Sequence, residues 1–231
     1  MSTSASARAP WLAASLAIVA FIPILIAYID RPLAIAASEL APSLREVFER
    51  ITVLGDSAIY IVPTCVAAIA LYPLERREGD AVRKALLRRY LFAALFLFAT
   101  VAVSGLATDL LKILLGRARP SVFLSEGDFG WHPFTLEARF RSFPSGHANT
   151  VVSVALALGF LLPRARVFLL ILAALVALTR IAVEAHYLSD IVAGSSLAFA
   201  TTIWLRAIFA RHGWLFRERA RSPFAHSDCC G

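Results

Sequence analysis

Charge is scarce in this chain. Only 17% of its 231 residues are charged while 59% are hydrophobic, and the mean hydropathy is +0.71. Soluble domains run about 25% charged and about 45–50% apolar, so an ordinary soluble globule and a disordered chain are both excluded. Cysteine is scarce as well: of the three, Cys65 lies in an apolar run, and Cys229 and Cys230 stand at the end of the sequence. No C-x2-C spacing is present, which excludes a disulfide-stapled scaffold and a thiolate metal site. The terminal pair is a candidate for acylation but reads better as an incidental terminus. Internal repeats, low-complexity linkers and the period-two alternation of barrel strands are all missing. Lysine is nearly absent, two against 21 arginines.

What is there is apolar length. Six stretches run from Trp11 to Ile29, about Ile51 to Tyr72, about Tyr90 to Leu115, about Pro144 to Leu162, Val167 to Ala185 and about Leu188 to Ala210. A span takes about 20 residues, so six use about 120 and leave no room for a separate soluble domain. A backbone in lipid must satisfy its own hydrogen bonds, so these stretches are predicted to be helices. The expected fold is an all-α, polytopic six-helix transmembrane bundle. The first stretch has the flavour of a signal peptide, and Ala34-Ile35-Ala36 resembles a cleavage site. Its length exceeds the usual h-region of about 7–15 residues, which favours a retained helix.

The net charge of +7 is best read as loop charge rather than as a nucleic-acid footprint. With a cytoplasmic N-terminus, the inner segments carry thirteen basic residues, including Arg76, Arg77, Arg83, Lys84, Arg88 and Arg89. The outer ones carry seven: Arg31, Arg45, Arg50, Arg117, Arg119, Arg139 and Arg141. Both termini are therefore expected inside, with residues 211–231 as a cytoplasmic tail. Residues 31–50 are predicted to form a short amphipathic helix at the interface. Residues 121–143 carry Phe123, Phe129, Trp131, Phe134, Phe140 and Phe143, which suit anchoring at the membrane surface or a wall beside a lipid headgroup.

Polar residues inside spans are expensive, so each needs a reason. Lys112 lies near the end of the third stretch, before Gly116-Arg117-Ala118-Arg119-Pro120. Pro144-Ser145-Gly146-His147 opens the fourth. Arg180 lies on the fifth, with His186 and Asp190 at the turn into the sixth. The alternation of spans puts all three groups at one membrane face, the external one. Lys112 and Arg119 are two helical turns apart and share a face if the helix continues to Pro120. Ser145, Gly146 and His147 open a helix, where free N–H groups attract anions. His186 and Asp190, four apart, share a face on a helix, where the carboxylate can hold one ring nitrogen and expose the other as a nucleophile. His147 is left as a proton donor to a leaving alcohol. Plainer readings exist for each: Arg117 and Arg119 holding lipid phosphates, Arg180 paired with Glu184, His186–Asp190 as a structural pair, Asp109 paired with Lys112 one turn on. Arg139 and Arg141 either read extra headgroup charge or anchor their loop.

Lys112-x6-Arg119-Pro120, Pro144-Ser145-Gly146-His147 and Thr179-Arg180-x5-His186-x3-Asp190 together resemble the three-part signature of the type 2 phosphatidic acid phosphatase superfamily. That superfamily includes bacterial lipid phosphatases, glucose-6-phosphatase and vanadium haloperoxidases. The motif region covers roughly residues 105–195, within one membrane-embedded domain spanning 1–231. The resemblance implies a metal-independent, cofactor-free phosphatase. His186 would attack phosphorus with Asp190 orienting it, and His147 would protonate the leaving oxygen and then activate water. Lys112, Arg119, Ser145, Gly146 and Arg180 would hold the phosphoryl oxygens. Thr179 stands where the family usually has Ser, Glu184 where many members have Gly, and Leu188 where many have Pro. The short six-span chain looks most like bacterial inner-membrane lipid phosphatases, which act on phosphatidylglycerophosphate, undecaprenyl diphosphate, phosphatidic acid or lipid A. The implied partners are the bilayer and a lipid phosphate, without nucleic acid. A phosphotransferase on the same scaffold, a transporter and a silent headgroup-binding protein remain competing readings.

Overall fold

Capping residues decide where the helices start and stop. The computed structural model of the protein describes residues 20–216. The expected beginning of the first span at Trp11, the Cys229–Cys230 pair and the tail beyond Phe216 lie outside the described residues. Nine α-helices are seen among those described: α1 (Ala20–Tyr28), α2 (Asp30–Ser38), α3 (Pro42–Thr52), α4 (Ala58–Arg77), α5 (Ala81–Leu115), α6 (Pro120–Glu126), α7 (Gly146–Leu161), α8 (Arg166–Ala182) and α9 (Leu188–Arg211). No strand occurs among the described residues. The expected all-α membrane fold is borne out.

By length and hydropathy, four stretches among the described residues can cross a membrane: Pro42–Arg77, Ala81–Leu115, Pro163–Ala182 and Leu188–Arg211. A fifth would be α1 with α2, bent by 49° at their junction. The expected fourth span is α7, which is apolar but has only 16 residues. At about 1.5 Å per residue it is about 24 Å long, short of a hydrocarbon core of about 30 Å. The six-span count is therefore not reached on these criteria.

Several boundaries differ from the sequence reading. The second expected span begins at Ala58 rather than Ile51, because Val53–Gly55 forms a 3-10 turn and the Asp56 carboxylate accepts the Ala58 N–H at 2.9 Å. Helix α5 begins nine residues before Tyr90, capped by Asp80, whose side chain accepts the Arg83 N–H at 2.8 Å. Its basic first turns thus belong to the helix. The interfacial segment is two helices rather than one, since Pro42 occupies the first turn of α3, where its missing N–H costs nothing.

Helix α7 is the hub. Ala148, Val151 and Ala155 pack against Ala173, Val176 and Ala177 of α8 and Ile191 of α9. Ala157 meets Phe96 of α5 and Leu205 and Phe209 of α9. Small residues let the backbones approach, and Ser104 and Ser153 share a buried hydrogen bond at 3.0 Å between α5 and α7. Gly194 of α9 sits so near Ser145 that a Cβ there would lie 2.3 Å from its carbonyl oxygen. Helix α4 packs on α5 and buries no residue, so Val62, Val66 and Ile69 are left for lipid. Helices α2 and α3 cross one end of the bundle against α8.

Candidate active site

All three motif groups meet at the bundle end that α2 and α3 cover. Lys112 comes from the last turn of α5. The helix does not continue to Arg119, so the condition for a shared face is not met. It stops at Gly116 (φ 60°), whose N–H returns to the Lys112 carbonyl. A side chain is impossible there, because a Cβ would fall 1.7 Å from the His132 carbonyl oxygen. Only glycine takes this left-handed cap cheaply. Lys112 and Arg119 therefore reach the site from a helix and from a loop, not from one helical face. The Lys112 ammonium lies against Gly146, where a Cβ would come within 2.9 Å of Nζ. It also contacts Asp109 at 3.4 Å.

Ser145 caps α7, and its backbone N–H donates to the Asp190 carbonyl at 2.9 Å. His147 lies in the first turn of α7, within electrostatic reach of Lys112, Arg180 and His186. Its ring rests on Gly55, where a Cβ would be 2.6 Å from Cδ2. Arg180, in the last turn of α8, donates to Thr52 Oγ1 at 3.0 Å and keeps a buried Nε without a partner. Glu184 does not pair with it. Glu184 has φ 54° and pairs with Arg45 of α3 at 2.7 Å. Thr179 spends its hydroxyl on the Val176 carbonyl at 2.7 Å.

His186 is buried in the loop before α9. Its Nδ1 donates to the Ser142 carbonyl at 2.7 Å, and Asp190 Oδ2 stands 3.6 Å from the same nitrogen. A carbonyl only accepts, so Nδ1 carries the hydrogen and Nε2 the lone pair. The carboxylate thus stands behind the ring rather than holding it directly. Burial pushes the His186 pKa down to about 4, aided by Arg119 and Arg180 and opposed by Asp190. Asp190, at the third position of α9, accepts the Tyr187 N–H at 2.9 Å and the Ser142 hydroxyl.

The sequence reading passed over what lies behind Asp190. Arg117 is fully buried and donates to Asp190 at 2.6 Å and to Asp30 at 2.9 Å. It holds protein carboxylates, not lipid phosphate. Phe129, Trp131 and Tyr187 surround its guanidinium at 4.2–5.5 Å. The aromatic segment therefore divides: Phe129 and Trp131 face Arg117, while Phe134 is 76% exposed. The signal for Asp30 was its position, a carboxylate at the end of the first apolar run. Gly55 and Thr52 gave none. Arg139 pairs with Glu126, and Arg141 reaches toward Asp109 at 3.5 Å. An apolar groove of about 720 Å³ runs beside the Phe143–Pro144 turn, lined by Ile22, Leu111, Val152 and Ile191.

Comparison with known proteins identifies the family. The PAP2 superfamily model matches residues 93–214. The chain belongs to the PAP2 superfamily. The lipid A 1-phosphatase of Rhizobium etli is 36% identical over 188 residues, covering 79% of each chain. That of Rhizobium johnstonii is 35% identical over 189 residues, covering 79% of this chain and 75% of the relative. In fold, this PAP2 protein resembles a transmembrane PAP2-type phosphatidylglycerolphosphate phosphatase from Bacillus subtilis. The TM-score is 0.60 and the identity 23%, over 90% of this chain and 98% of the other. The expected multi-pass membrane phosphatase is thereby borne out.

Proposed function

We propose that this PAP2 protein is a lipid phosphatase of the bacterial inner membrane that removes the 1-phosphate of lipid A through a phosphohistidine at His186. The observation that carries the chemistry is the His186 ring: its Nδ1–H is taken by a carbonyl, and Nε2 has no protein partner among the described residues. The Nε2 lone pair attacks phosphorus and the P–O ester bond breaks. The departing oxygen takes a proton from His147. A water then gives its proton to His147, attacks phosphorus and breaks the N–P bond, releasing phosphate. Lys112, Arg119, Arg180, Ser145 and the Gly146 amide hold the phosphoryl oxygens as charge builds. The Ser142 carbonyl fixes the imidazole, and Asp190 behind it offsets its positive charge.

The names of the two Rhizobium relatives support lipid A as substrate, and the apolar groove beside Pro144 suits an acylated one. The loop charges support an active site facing outward and cytoplasmic termini.

Phosphate release in detergent from purified lipid A 1-phosphate, phosphatidylglycerophosphate, undecaprenyl diphosphate and phosphatidic acid tests the reading. Lipid A is expected to turn over fastest. His186→Ala and His147→Ala should each lower kcat at least about a thousandfold with insertion intact. Vanadate should inhibit and chelators should not. Full activity of His186→Ala, or its loss to EDTA alone, would refute the mechanism.

A further inference from the structure

The cluster behind Asp190 has a charge that a structural pair would not need. Asp30 is 1% exposed, Arg117 0% and Asp190 0%. Arg117 Nη1 donates to Asp190 and Nη2 to Asp30, while the Ser189 N–H donates to Asp30 at 3.1 Å and its hydroxyl to the same carboxylate. Two carboxylates face one guanidinium, so the cluster carries one negative charge in excess. Buried charge of this kind is costly unless something balances it. Besides the permanent charges of Arg119 and Arg31 nearby, the neighbour of Asp190 that can gain positive charge is the His186 imidazole, 3.6 Å from Oδ2. That ring is neutral with Nδ1–H retained. It turns cationic when the Nε2 lone pair forms the N–P bond, the P–O bond breaks and the electron pair leaves with the ester oxygen, which is protonated by His147.

Arg117 and Asp190 alone would sum to zero. Asp30 supplies the excess. It comes from the α1–α2 junction, 87 residues before Arg117 and 159 before Ser189. It does not face the phosphate pocket. The aromatic box holds the Arg117 fork in place, with Tyr187 nearest at 4.2 Å, so Arg117 does not swing out to substrate. We infer that Asp30 is a positioning residue which, through Arg117, orients Asp190 and supplies the negative charge that stabilises the phosphorylated His186. This rests on the phosphohistidine reading above.

Asp30→Asn keeps the shape and removes the charge. In detergent-solubilised full-length protein it is expected to lower kcat about tenfold or more and to leave KM within about threefold. Inhibition by inorganic phosphate, which uses Lys112, Arg119, Arg180, Ser145 and the Gly146 amide but no bond to the imidazole, should stay unchanged. Inhibition by vanadate, which also bonds the imidazole, should weaken. The double variant Asp30→Asn/Arg117→Met should lose no more than Arg117→Met alone, because both changes act on one path. Unaltered kcat in Asp30→Asn overturns the inference, as does an additive double variant. Parallel loss of phosphate and vanadate inhibition together with a lower unfolding temperature overturns it too, since that marks a purely structural role. An active His186→Ala protein instead defeats the phosphohistidine reading itself, so the two failures are distinguishable.

Discussion

At the scale of single residues, the site is a set of environments imposed on ordinary side chains. His186 is the clearest case. Free histidine titrates near 6.5, but burial and two neighbouring guanidinium groups hold this one down to about 4. A lowered pKa keeps the ring neutral, and so nucleophilic, throughout the physiological range. Rate is lost as pH falls through the folded value and the ring protonates. The acid limb of kcat/KM is therefore expected near pH 4–5 rather than near 6.5. Arg180→Met removes one positive neighbour, so the limb should move upward even as overall rate drops. A pH–rate series on both proteins checks this, and an acid limb at 6.5 in the parent would refute it. Glu184 shows a different imposition. Its φ of 54° is a conformation natural to glycine, the residue many superfamily members carry there. The carboxylate gains a partner in Arg45 that glycine could not provide. Glu184 is thereby engaged with α3.

At the scale of elements, the chain from α3 to the start of α4 is a wall of the site rather than a float at the interface. Thr52 orients Arg180, Arg45 holds Glu184, and Gly55 makes room for the His147 ring. Gly55→Ala would drive a methyl group into the His147 side chain, at 2.6–2.9 Å from three of its carbons. It is expected to cut kcat about tenfold or more while thermal unfolding in detergent stays close to that of the parent; an unchanged kcat would show that the turn has room to yield. These contacts explain what the sequence could and could not tell. The long apolar stretches were legible because a lipid-facing helix leaves a plain compositional trace. The motif residues were legible because phosphate chemistry uses few residue types at set spacings. Helix phase was a poor guide near Gly116, where a single left-handed residue cancels the seven-residue argument for Lys112 and Arg119. Thr52 and Gly55 act by contact across 90 or more residues, a relation that local pattern does not carry. Arg117 looked like its neighbour Arg119, and only burial tells the two apart.

At the scale of the whole molecule, charge is divided between the ends of the bundle. The candidate site draws on the C-terminal ends of α5 and α8 and the N-terminal ends of α7 and α9. The basic runs around Arg76–Arg89, Arg164–Arg166 and Arg211 sit at the opposite ends of the same helices. Among the described residues the candidate phosphate-binding groups therefore stand together at one end of the bundle. The helix that opens the pocket, α7, is also too short to cross by itself, at about 24 Å. With its far end at one water boundary, its Ser-Gly-His turn lies about 6 Å beneath the other in a bilayer of ordinary hydrophobic thickness. In that placement a headgroup has to sink, or the leaflet to dimple, to reach the turn. Turnover in reconstituted vesicles should therefore rise as the host acyl chains shorten from about 22 to about 14 carbons. A rate indifferent to chain length would mean that the surrounding lipid already bends to the protein without cost.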